Sequence, residues 1–120
     1  MYDDQRLRSS ERLHQAQEYQ RVFQHGKKLV APLFAIYIHP SPEPFSRLGM
    51  AVSKRVGKAV VRNRVKRLIR EVFRCHKSFI KSPCDVVVVA RQPAADASFV
   101  DVARQFLILL GRYQQSQKRA

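Results

Sequence analysis

Acidic side chains are scarce in this chain. Nine Asp and Glu stand against 23 Lys and Arg among 120 residues, a formal net charge of +14 with histidine neutral. A chain so charged repels itself unless it meets a polyanion, so nucleic acid or an anionic surface is the expected partner. Tryptophan is absent and cysteine nearly so. Cys75 and Cys84 lack Cys-x-x-Cys spacing, which argues against a zinc site and for two free thiols in a reducing compartment. His14, His25, His39 and His76 are scattered without ligand spacing, so no metal site is expected. Long apolar runs are also missing. The longest, residues 86–90 and 106–110, fall far short of the ~18 residues of a spanning helix. The opening MYDDQRLRSSERLHQ has no signal-peptide core. The chain is expected in the cytoplasm, without a membrane partner.

What is present suits one folded domain over residues 1–120, with 45% hydrophobic content and no internal repeats. The ends, about 1–12 and 115–120, are polar and expected to be flexible. A helix is predicted over residues 15–25, with Ala16, Tyr19, Val22 and Phe23 on one stripe and Gly26 as its stop; Ser9 or Ser10 offers an earlier start signal. A short extended piece follows at 29–31. LFAIYI (33–38) alternates as a strand, and the three prolines of HPSPEPFS force a loop. LGMAVS (48–53) reads as a strand antiparallel to LFAIYI across that loop. A basic helix is expected over 58–76, and DVVVVAR (85–91) is a strand of buried type. Ser98 and Asp101 form a capping-box pattern opening a last helix from Phe99 to about Tyr113. The fold class is α+β, an α-β-β-β-α-β-α sandwich on a small mixed sheet.

The segment KRVGKAVVRNRVKRLIREVFR (54–74) concentrates the charge, with nine cations and one acid, Glu71. At ~100° per residue, Val61, Val65, Leu68, Ile69, Val72 and Phe73 form one apolar arc. Asn63, Arg64, Lys66, Arg67, Arg70 and Arg74 occupy the other, and Arg62 falls at the arc's edge. Glu71 can pair with Arg67, but Lys66, Arg70 and Arg74 make a purely cationic row at four-residue spacing, which disfavours the isolated helix. Arg62 and Arg64 place cations near the helix N-terminus, against the dipole. Lys54, Arg55 and Lys58 lie in the entering turn beside Gly57. Phosphates bound across this surface would offset those penalties. Gly57-Lys58 is followed by Ala59, which rules out a P-loop, and flanking strands argue against a helix-turn-helix reader.

Tyr19 and Phe23 can face Tyr37 and line a groove. Rings at such spacing serve a core or stack the bases of a single strand, and the pattern leaves both open. No paired carboxylates, Ser/His/Asp set or metal cluster is placed for nuclease chemistry, so no catalytic residue is expected in the protein.

The run VSKRVGKAVVRNRVKRLIR resembles the signature of the bacterial ribonuclease P protein subunit. EYQRVFQHG, LFAIYI, RLGMAVS and DVVVVARQP flank it in the matching order, so the likeness spans about residues 12–113. The resemblance implies the small protein partner of a catalytic RNA, which with bound Mg²⁺ removes the 5′ leader of precursor tRNA as an endoribonuclease. The protein would raise substrate and metal affinity, with Mg²⁺ held mainly by the RNA subunit and no DNA partner. It also implies a left-handed β-α-β crossover around the signature helix, an exception to the usual handedness, as in the second domain of ribosomal small-subunit protein five. Carried over by position, Lys54, Arg55, Lys58, Arg62, Asn63, Arg64, Lys66, Arg67 and Arg70 form the RNA-binding signature surface. Tyr19, Phe23 and Tyr37, with Arg91 nearby, form the leader-binding cleft. Tyr19 stands where the family often has Phe, Ala51 and Gln92 where relatives often carry polar or basic groups, and Asp85 reads as structural. A ribosomal-type RNA binder would share the basic helix without needing the cleft, and a duplex-DNA regulator would want dimer symmetry and base-reading Asn or Gln. Signature and cleft together favour the ribonuclease P reading.

Overall fold

A strand that is apolar on both sides has to be covered on both sides, and CDVVVVA is such a strand. In the computed structural model, which describes residues 7–118, it is β4 (Cys84–Ala90), the last of four strands, and it lies inside the sheet. The elements follow the expected α+β order: α1 (Ala16–His25), β1 (Lys27–Val30), β2 (Phe34–Pro40), β3 (Arg47–Ala51), α2 (Ala59–His76), β4, and α3 (Phe99–Lys118). The sheet is mixed, in the order β1-β2-β4-β3.

The proposed pairing of β3 with β2 is wrong. β2 runs antiparallel to β4, with Tyr37 opposite Val87, and β3 runs parallel to β4 on its other edge, with Gly49 opposite Val87. β4 is paired along both edges, and Val86, Val87 and Val88 are buried on its two faces. The proline-rich loop carries the chain past the end of β4: the Ser41 amide donates to Pro83 O and the Cys84 amide to Ser46 Oγ. β3, α2 and β4 thereby form a parallel crossover.

Alternation sorts the sheet into two unlike faces. On one, Phe34, Ile36, Ile38, Leu48, Val86 and Val88 pack under α2 and α3, which contribute Val65, Ile69, Val72, Phe73, Val102, Phe106 and Leu109. Among the described residues, the other is covered by α1 and the segment leading into it, with Leu13, Val22 and Val87 as its buried cluster and Tyr19, Tyr37 and Val89 packed against it. Ser98 and Asp101 cap α3 reciprocally, as their spacing predicts. α3 continues past Tyr113 to Lys118, since Gln114 anchors it by accepting from the Lys81 amide and donating to Phe79 O. Of the ends expected to be flexible, residues 1–6 and 119–120 lie outside the described residues. Residues 9–11 form a single 3₁₀ turn rather than the start of α1; Lys77 pairs with Glu11, and Arg12 bridges to Leu48 on β3.

α1 is seated by charge. Asp85 is fully buried and accepts two bonds from Arg47, at 2.9 Å from Nε and 2.7 Å from Nη2, and a third from Arg21 at 2.8 Å. Arg47 Nη1 reaches Glu18 on α1 at 2.9 Å. Glu18 also caps the helix, accepting from the His14 and Gln15 amides at 2.8 and 3.0 Å. Those two amides, with Arg47 beyond them, hold the Glu18 carboxyl below its usual range. The folded state therefore prefers ionised Glu18 more than the unfolded chain does. The stabilisation is complete above the unfolded value of about 4.3 and is lost as pH falls through the lower folded value. Glu18→Gln is expected to lower the urea midpoint at neutral pH and to flatten its acid-side decline; a variant parallel to wild type across that range would contradict this role.

Candidate nucleic-acid interface

The site begins where β3 ends. After Ala51 the chain makes a 3₁₀ turn over Lys54–Val56, plugged by buried Val56, and reaches Gly57 at φ 154° and ψ −171°. Side chains rarely adopt that conformation, and a Cβ there would lie 3.0 Å from Val61 Cβ and Cγ1. Glycine is required, and the turn leaves Lys54, Arg55 and Lys58 exposed. Lys58 is the N-cap of α2 without a side-chain cap bond, and the first turn carries no acid. Both features leave the helix N-terminus without a negative partner of its own.

Along α2 the apolar arc is buried as the periodicity requires, through Val65, Ile69, Val72 and Phe73. Asn63, Arg64 and Arg67 are exposed; Arg62, Lys66 and Arg70 are half-buried. Glu71 pairs with Arg74 at 2.7 Å and not with Arg67. An acid placed N-terminal to its cation suits the helix dipole better than the reverse order. Among the described residues, Lys54, Arg55, Lys58, Arg62, Lys66, Arg67 and Arg70 have no carboxylate in ion-pair contact. Arg64 is differently employed: its guanidinium donates to Ala95 O at 2.9 Å and Ala97 O at 2.6 Å, clamping the turn after β4 onto α2.

The rings stand on the lightly covered face. Tyr19 lies over Gly49, where an added Cβ would come within 2.8 Å of the ring, and its hydroxyl accepts from the Met50 amide at 3.2 Å. Phe23, 40% exposed, meets Tyr37 edge-on with centroids 4.8 Å apart. α1 thus crosses the strands from β3 towards β2. Beside its rings the next row of the sheet carries only small or β-branched side chains, Val30, Ala35, Val89 and Ala51. Arg91 lies beyond that row, its backbone amide on Leu33 O and its guanidinium on Ala31 O at 3.0 Å. The rings therefore border a lightly covered stretch of sheet, with Arg91 past its other side and the Lys54–Arg55 turn following its β3 end.

Sequence reasoning missed Arg47, Glu18 and Arg21, which position α1 and hence the rings. The available signal was Asp85 itself, since a carboxylate opening an apolar strand demands buried cationic partners. Among the described residues no three His, Cys, Asp or Glu side chains are grouped to hold a metal ion. No helix among them is long and apolar enough to cross a membrane.

A small basic α+β domain whose lightly covered aromatic face lies beside a cationic helix fits an RNA-binding protein. The Ribonuclease P family model matches residues 7–114. The ribonuclease P protein component of Syntrophus aciditrophicus is 39% identical over 110 residues, covering 92% of each chain. The Staphylococcus aureus RNase P protein superposes with a TM-score of 0.77 at 35% identity, over 86% of this chain and 94% of that one. The Thermotoga maritima RNase P protein gives 0.76 at 34%, over 85% and 96%. The chain belongs to the ribonuclease P protein family, whose work is tRNA processing.

The Arg64 clamp makes a separable prediction. Arg64→Ala is expected to cost about 1 kcal/mol of stability in urea unfolding, the scale of a net hydrogen-bond loss. Arg67→Ala, without such a clamp, is expected to leave the midpoint nearly unchanged. Equal midpoints for both variants would reject the clamp.

Proposed function

We propose that this chain is the RNA-binding subunit of a ribonucleoprotein endonuclease that removes the 5′ leader of precursor tRNA. The observation that carries it is the cleft whose β3 end opens directly onto cations without carboxylate partners. The signature surface, Lys54, Arg55, Lys58, Arg62, Asn63, Lys66, Arg67 and Arg70 with Arg64 at its edge, binds phosphates of the catalytic RNA and of RNA beside the cleavage site. The cleft of Tyr19, Phe23 and Tyr37 takes the single-stranded leader, for which stacking tolerates any base. Arg91 keeps the far wall of the cleft in place through Ala31. Hydrolysis belongs to the catalytic RNA with its Mg²⁺. This chain binds and orients the substrate, and it raises the complex's affinity for substrate and for metal.

Reconstitution tests the assignment. Adding the protein to a bacterial ribonuclease P RNA at low Mg²⁺ is expected to restore leader cleavage; a rate that is the same with and without protein rejects it. The cleft has its own test. Phe23→Ala is expected to weaken holoenzyme binding of precursor tRNA by ~1–3 kcal/mol, the range for one stacked base, while mature tRNA binds as before. Equal losses for both substrates would remove the leader from the cleft.

A further inference from the structure

Neither the signature surface nor the three rings account for a lysine on this face of the sheet. Lys28 stands on β1, the edge strand, directly opposite Tyr37. Its Nζ lies 5.7 Å from the Tyr37 ring centroid, on the same ring that Phe23 meets edge-on. The side chain is exposed, and no carboxylate among the described residues pairs with it. Its neighbour Lys27 points elsewhere, donating to Ser116 Oγ on α3 at 2.6 Å. Alternation along β1 therefore sends one lysine to the helix side and the other to the cleft.

The cleft follows α1 across the strands, so a polynucleotide lying in it enters at β3, beside Lys54 and Arg55, and leaves at β1. Four strands at ~4.8 Å spacing make that path about 14 Å long, enough for a few nucleotides only. Resting on the leader-binding reading above, we propose that Lys28 is a positioning residue at the exit of the cleft. It contacts a backbone phosphate of the leader after the base that stacks at Phe23 and Tyr37, and it thereby sets how much leader length contributes to affinity. Ring and ammonium act together there. The cation lies near the π-face that a base would share, and its remaining donors are free for phosphate.

The test compares holoenzyme binding of two precursor tRNAs, one with a leader that ends within the cleft and one with a leader that passes β1. For the long leader, Lys28→Gln is expected to weaken binding about two- to five-fold, the scale of one exposed ion pair. The slope of log affinity against log salt should also fall by ~0.7, one single-strand phosphate. For the short leader neither quantity should change, and Lys28→Arg should restore the long-leader slope. Equal effects on both leaders would mean that Lys28 acts by holding the Tyr37 ring, and no effect on either would mean that the leader does not pass β1; each overturns the proposal. Phe23→Ala measured alongside separates the two levels. If it selectively weakens precursor binding while Lys28→Gln does nothing, the cleft reading stands and only the exit fails.

Discussion

The buried carboxylate of Asp85 is the constraint from which the binding face follows. A charge with no solvent exposure has to be met by charge, and it is met from two elements at once, Arg47 on β3 and Arg21 on α1. Arg47 is itself buried and is raised further above its usual range by its bonds to Asp85. Its third donor reaches Glu18, so α1 is tied to the cluster at two points one turn apart. Removing one member of such a set typically costs ~3–5 kcal/mol, because the others remain buried and unpaired. Against a usual total of ~5–15 kcal/mol, few single changes would matter more.

The cluster also decides geometry. Arg47 is the register partner of Asp85, so the ion pair and the parallel β3–β4 ladder specify the same alignment. With that register set, Gly49 lies beneath Tyr19, and the missing Cβ lets the ring approach the strand. One side of α1 is held down by charge at the Asp85 row, and its other side presents Tyr19 and Phe23 beside the row of Val30, Ala35, Val89 and Ala51, of which Val30 is exposed and Ala35 buried. The opposite face of the sheet is covered by two long helices and carries most of the core. Stability and recognition are divided between the faces, so the cleft can stay thinly covered without emptying the core.

Much of this was legible in the sequence, and the misses share a cause. Periodicity reports which side of an element is apolar, so the α2 arc, the two faces of β2 and the doubly buried β4 were all readable from residue spacing. Composition and the cap residues located α3, and the signature residues pointed to RNA. Strand order is not periodic information. The antiparallel β2–β3 assignment followed chain proximity, while the true neighbour of β3 is set by contacts such as Arg47 with Asp85, 38 positions apart. The same holds for Arg64. Its helical position marks it as outward-facing, but its partners are carbonyls of a turn 31 and 33 residues later. Tyr19 and Phe23 were ambiguous between core and groove because spacing alone cannot say whether a second helix covers them. Only the fold shows that, among the described residues, none does.

The cationic segment is not uniform along its length, and this bears on what it binds. At the C-terminal end of α2, Arg74 is compensated by Glu71 and sits where the dipole favours a cation. At the N-terminal end the first turn carries no acid, the N-cap makes no side-chain bond, and among the described residues only Arg64 has protein acceptors. The uncompensated charge is thus concentrated at the turn and first half of the helix, beside the β3 end of the cleft. A helix that merely needed solubility would gain most from acids in that first turn, where they suit the dipole and pair with Arg62 or Lys66. Their absence there, together with a glycine-dependent turn that brings three more cations to the same place, is the arrangement expected when the missing negative charge arrives with a bound phosphate backbone.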